Sequence, residues 1–131
     1  MGRTRSFDEA DVVARASASF RATGYEGTGV DELLHAVGLH RGSLYRAFGS
    51  KRGLFVVVLR QALSTDPLGE GELDLVLVAL LELAPRDREV RALLAGRLRR
   101  ADASPAVLGA RLLDRAGLTP HPSDTRAEEE P

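Results

Sequence analysis

Apolar residues recur along this chain at helical spacing, in segments cut short by glycine. From Phe7 to Thr23, the residues Phe7, Ala10, Val13, Ala14, Ser17, Ala18 and Phe20 fall at three- and four-residue steps, as on one face of a helix. Ser6 is placed to cap that helix, with Glu9 three residues later as in a capping box, and Gly24 supplies the stop. Tyr25 to Gly29 reads as a turn. Val30 to Val37 reads as a second helix of two turns, with Asp31 and Glu32 in its first turn, where the helix dipole favours acids; Gly38 breaks it. A third short helix runs from His40 to Phe48 and ends at Gly49. Ser50 then caps a fourth, Lys51 to Leu63, whose run Leu54, Phe55, Val56, Val57, Val58, Leu59 calls for burial on more than one side.

Thr65 to Gly71, rich in glycine and proline, is the linker candidate. Beyond it, Leu73 to Ala84 is nearly all apolar, Pro85 is placed to start a helix over Arg86 to Ala101, and Ser104-Pro105 opens another that ends at Gly117. The pattern predicts an all-α fold: a helical headpiece of three to four helices over residues 1–53, a short helical region over 54–118, and an acidic tail over 119–131. The tail has nothing to bury and is expected to be disordered.

Composition narrows the chemistry. A chain of 131 residues with 5% aromatics must build its core from aliphatic side chains, and two independent domains would fit tightly. There is no cysteine, and His35, His40 and His121 lack metal-ligand spacing, so neither a metal nor a cofactor is expected. No stretch is apolar over a bilayer's length, which points to a soluble, cytoplasmic protein with no membrane partner. The formal net charge of −1 argues weakly against nucleic acid, yet its distribution does not. Residues 1–53 hold eight Lys/Arg against six Asp/Glu, whereas residues 119–131 hold one against four.

Residues 30 to 48 meet each requirement of a helix-turn-helix: two short helices, a glycine turn, apolar residues on the faces that meet, and a second helix with exposed polar side chains. Val30, Leu33, Leu34, Val37, Leu39, Leu44 and Phe48 form the internal face, leaving His40, Arg41, Ser43, Tyr45 and Arg46 for a DNA groove. Gly42 removes a side chain where backbone and DNA approach.

The pattern Phe20-x-x-x-Gly24-Tyr25-x-x-Thr28-x-Val30-Asp31-Glu32-Leu33, followed by Gly38-Leu39-His40-Arg41-Gly42-Ser43-Leu44-Tyr45-x-x-Phe48-Gly49-Ser50-Lys51, resembles the TetR (tetracycline repressor) family of bacterial regulators. The resemblance covers about 50 residues. It implies that the third helix enters the major groove of double-stranded DNA, and that the last helices pair two subunits into a homodimer on a two-fold symmetric operator. By position, Arg41, Gly42 and Ser43 would lie nearest the bases, Tyr45 and Lys51 would hold phosphates, and Thr28 would sit at the phosphate-facing entrance of the second helix. Gly29 stands where the family usually has a Ser or Thr cap, and Ala47 where a histidine often touches the backbone; Arg46 is placed to compensate. Fewer than 80 residues follow Leu54, which is short for the family's effector region, so whether a small-molecule effector binds stays open. The alternative function is a shortened interaction module that modulates a longer relative.

Several residues carry a blander expectation. His35 reads as a helix-surface residue. Phe20, Tyr25, Phe48 and Phe55 read as headpiece core, and Arg97, Arg99 and Arg100 as a solvated helix face. Ser43 with His40 three residues earlier is the only nucleophile and base pairing in reach, and no third partner accompanies it, so no enzyme is expected.

Overall fold

A computed structural model describes residues 7–119. Among them the structure is all-helical: α1 (Glu9–Thr23), α2 (Val30–Val37), α3 (Arg41–Phe48), α4 (Lys51–Leu63), α5 (Glu70–Val78), α6 (Arg88–Arg97) and α7 (Pro105–Arg115). A π-helical turn (Ala79–Leu83) extends α5, and a 3₁₀ turn (Ala101–Ala103) precedes α7. The predicted tail lies outside the described residues, apart from Thr119.

Local signals fix most boundaries. Ser50 and Ser104 accept from the backbone N–H of Gly53 and Val107, three residues on, as N-caps do. Gly38 takes φ 71° at the end of α2, a left-handed conformation that a side chain would strain, and its N–H reaches Leu34 O at 2.9 Å.

Three expectations need correction. The cap of α1 is Asp8, whose carboxylate accepts from Ala10 N–H; Ser6 lies outside the described residues. The buried face of α1 is Val12, Val13, Ala16 and Phe20, with Ala10, Ala14 and Ala18 exposed. The larger valine at position 12 wins over the alanines because α1 packs against α2, α4 and α5 together. Pro85 does not open α6: it lies in a turn closed by Arg86 N–H to Leu83 O, and Asp87 is the cap, accepting from Val90 N–H at 3.1 Å.

α5 explains how so short a chain builds a core. Leu73 to Val78 are all buried, as expected for a helix apolar on every side, enclosed by α1, α4 and α7. Asp74 sits among them because Arg111 and Arg115 of α7 neutralise it, at 2.7 and 3.3 Å. Burial opposes ionisation of that carboxyl, but the two arginines prevail and hold its pKa below the ordinary value. Arg97 also departs from expectation. Its side chain is buried, donating to Leu63 O, Thr65 O and both oxygens of Asp102, while Asp102 accepts from Leu68 N–H. One guanidinium thus ties the α4–α5 connection to α6 and the 3₁₀ turn. Arg99 and Arg100 are exposed as expected.

Candidate nucleic-acid interface

The angle between α2 and α3 is set from inside. Leu33, Val37 and Leu44 are buried, Leu34, Leu39 and Phe48 are half-buried, and α3 leans on α4. At about 100° per residue, burying Leu44 turns Arg41, Tyr45, Gly42 and Arg46 onto one contiguous arc of α3, and all four are exposed. Ser43 lies at the margin of that arc, half-buried, as does Ala47. His40 is exposed just before the helix and makes no side-chain cap.

The exposed arc is weakly tied to the rest of the protein. Arg41 pairs with Asp31 of α2, and a side-chain hydrogen bond with Tyr45, followed by the charge of Asp31, raises its pKa further above its ordinary value. Arg46 has no ion pair among the described residues. Gly42 is the more telling position. Among the described residues a Cβ there would meet only the Arg46 guanidinium, at 4.0 Å, and its φ is not positive, so no contact among them demands glycine. Glycine inside a helix costs roughly 0.5–1 kcal/mol relative to alanine.

The predicted phosphate-facing residues divide. Thr28 is fully buried; its hydroxyl donates to Gly24 O at 2.6 Å and sits against the Thr23 hydroxyl. Its side chain therefore ties the α1–α2 turn and is not presented at the surface, which corrects its expected position. Gly29 leaves α2 without a side-chain cap. Lys51 is half-buried, with its Nζ 4.3 Å from the centroid of the Tyr25 ring. Tyr25 in turn belongs to an aromatic trio, 5.9 Å from Phe20 and 5.3 Å from Phe55 between centroids, which bears out their reading as core. Burial, then the charge of Glu26, pushes the Tyr25 phenol pKa up. Next to Lys51, Arg52 grips Asp87 with two hydrogen bonds of 2.6 and 2.9 Å, pinning the start of α4 to the cap of α6. That fork holds the Asp87 carboxyl at a pKa of about 2.

A headpiece of this shape, with a polar arc on the second helix of a helix-turn-helix, defines a class of DNA-reading domain. Residues 12–58 match the family described as bacterial regulatory proteins, tetR family. Over these residues the chain is similar to that family. It is 44% identical over 63 residues to an uncharacterized HTH-type transcriptional regulator, YezE, of Bacillus subtilis (strain 168), across 48% of this chain and 32% of the relative. It is 36% identical over 67 residues to the HTH-type transcriptional repressor BdcR of Escherichia coli (strain K12), across 51% of this chain and 34% of the relative. The chain thus spans about a third of the length of these curated relatives. No solved structure matches.

Sequence reasoning did not single out Glu82, Arg52 or Asp87 for the headpiece. Each acts across more than 30 residues of chain. Spacing along one helix carries no trace of such contacts.

Proposed function

We propose that the protein is a transcriptional regulator, acting as a repressor in the cytoplasm, that reads a two-fold symmetric operator as a homodimer. The observation that carries this reading is the exposed arc of α3, with Arg41, Gly42, Tyr45 and Arg46 side by side on a helix-turn-helix. Arg41 is the base reader, suited to guanine O6 and N7, with Gly42 allowing close approach and Ser43 and His40 at the edges. Tyr45, Arg46 and Lys51 take phosphates, and Thr28 contributes only by shaping the turn before α2. Residues 1–53 serve as the reading head and 54–118 as the dimerising region.

Dimerisation has support in four exposed leucines: Leu81, Leu112, Leu113 and Leu118, at 65, 43, 41 and 66% exposure. α7 has no fully buried residue: Val107, Leu108 and Arg111 are half-buried, and Leu112 and Leu113 lie on its exposed side. A second copy packed on that side would remove apolar surface from water and set two recognition helices about 34–36 Å apart, one helical turn of DNA. The repressor sense follows the relative named a repressor.

Selection of bound sequences from a random duplex library, followed by a salt titration on the winner, tests the reading. An enriched palindrome with a steep salt slope is expected. Binding without enrichment, by a chain that stays monomeric in sedimentation, would overturn it and favour an interaction module that pairs with a longer regulator.

A further inference from the structure

Glu82 stands on the π turn, 57 residues along the chain from Tyr25, and its carboxylate closes on the loop that follows α1. Oε2 accepts the Tyr25 N–H at 3.0 Å and Oε1 accepts the Glu26 N–H at 2.9 Å. Two successive backbone donors on one anion form a charge-assisted clamp that fixes the peptide between them. Gly24 makes the approach possible: it has φ 80°, and a Cβ there would lie 2.7 Å from Glu82 Oε2. The π turn, with Ala84 N–H reaching back to Ala79 O, carries one residue more than an α-helical turn would. It thereby sets the angle at which Glu82 leaves the α5 axis.

The clamped residue is the one that carries Lys51. Tyr25 backbone is held by Glu82, its ring packs against both Phe20 and Phe55, and the Lys51 ammonium rests over that ring at 4.3 Å. An ammonium resting on a ring directs one side to the π face and keeps N–H donors free on the other. A flexible lysine so placed loses less freedom when it meets a phosphate. We infer that Glu82 is a positioning residue for phosphate binding: through the backbone and ring of Tyr25 it sets where the Lys51 ammonium stands. The helical region beyond α4 thus reaches the Lys51 surface through the Glu82 carboxylate, beside the Arg52–Asp87 fork. This inference rests on the DNA-binding reading, since it assigns Lys51 to phosphate.

Lys51 is the sole lysine of the chain, which makes the test direct. Biosynthetic incorporation of ¹³C-lysine gives an NMR signal from Lys51 alone, readable without DNA. The Lys51 side-chain protons are expected upfield through the Tyr25 ring current, and Glu82→Ala is expected to return them toward free-lysine positions. Glu82→Gln, which keeps one oxygen acceptor, falls between. In salt titrations on the selected operator, Glu82→Ala and Lys51→Ala are each expected to reduce the slope by about one phosphate. The double variant is expected to bind no more weakly than Lys51→Ala alone. Unchanged Lys51 resonances in Glu82→Ala would overturn the inference whatever the DNA does. Losses that multiply in the double variant would do the same, because a residue that only stabilises the fold acts independently of Lys51. If the wild type binds no duplex while the resonances still move with Glu82, it is the DNA-binding reading that has failed, and the phosphate role fails with it.

Discussion

Arg46 and Arg97 are the same residue type in two regions that use it in opposite ways. Arg97 is 7% exposed and donates to Leu63 O, Thr65 O and Asp102, holding the α4–α5 connection against the end of α6. Arg46 points out from α3 with no ion pair among the described residues. One arginine completes the fold; the other is exposed on the arc that the proposed function assigns to DNA. The contrast extends to their surroundings, because the far half of the molecule pairs Asp74 with Arg111 and Arg115, and Asp102 with Arg97, all at least half-buried on one side, whereas on the arc of α3 the one ion pair among the described residues joins Arg41 to the exposed Asp31. Removing a buried partner strands the charge left behind, whereas removing an exposed one leaves the fold nearly untouched.

The largest expected effect breaks that contrast directly. Arg97→Ala strands two backbone carbonyls and the Asp102 carboxylate, and is expected to lower the melting temperature by several degrees. Arg46→Ala is expected to leave it within the scatter of a surface change, about 0.5 kcal/mol, while weakening DNA binding across all sequences. Thermal melts and binding isotherms on both variants check this. Equal destabilisation by the two would mean that Arg46 is structural.

The next effect sharpens the comparison through pH. The Arg52 fork holds the Asp87 carboxyl at about 2, below its ordinary value, so the folded state favours the ionised form more than the unfolded chain does. That contribution is fully present above the unfolded pKa of about 4 and is lost as pH falls from there toward 2. Asp87→Asn keeps a capping oxygen but removes the charge. Denaturation curves are expected to separate wild type and variant at pH 6 and to converge toward pH 2. A gap that stays constant down to pH 2 would mean that the difference does not come from the ionised carboxylate.

How much of this was legible in the sequence follows from the range of each interaction. The ends of α2 and α4 were readable because Gly38 and Ser50 act within a turn of themselves, and the arc of α3 was readable because Leu44 and Phe48 mark its inner side. The face of α1 was misjudged because three helices compete for it, so periodicity alone could not rank Val12 above Ala14. Thr28 matched a surface role by position, yet its hydroxyl is used by Gly24 O four residues back. The Glu82 clamp and the Arg52 fork were invisible, since each joins parts of the chain with no shared spacing.

A smaller effect is expected at Gly42, where stability and binding pull apart. Among the described residues nothing opposes a Cβ there, so Gly42→Ala, in the first turn of α3, is expected to stabilise the protein by at most roughly 0.5–1 kcal/mol through its helix propensity. If DNA backbone or bases approach α3 at that point, the same methyl group weakens operator binding. A variant that melts higher and binds as well as wild type would remove Gly42 from the interface.

The smallest effect concerns Asp31, the ion-pair partner of Arg41. Both partners are well exposed, with side-chain exposures of 51% for Arg41 and 91% for Asp31, so the pair contributes little to stability. Its influence on binding has a definite sign. To reach a base, Arg41 must leave the carboxylate, and Asp31 itself repels nearby phosphate. Asp31→Asn is therefore expected to leave the melting temperature unchanged within about 0.5 kcal/mol and to strengthen binding to random duplex more than to the operator. Specificity, measured as the ratio of the two affinities at fixed salt, falls as a result. Should the ratio hold while both affinities rise together, Asp31 acts only as a background charge and Arg41 meets DNA without first having to be released.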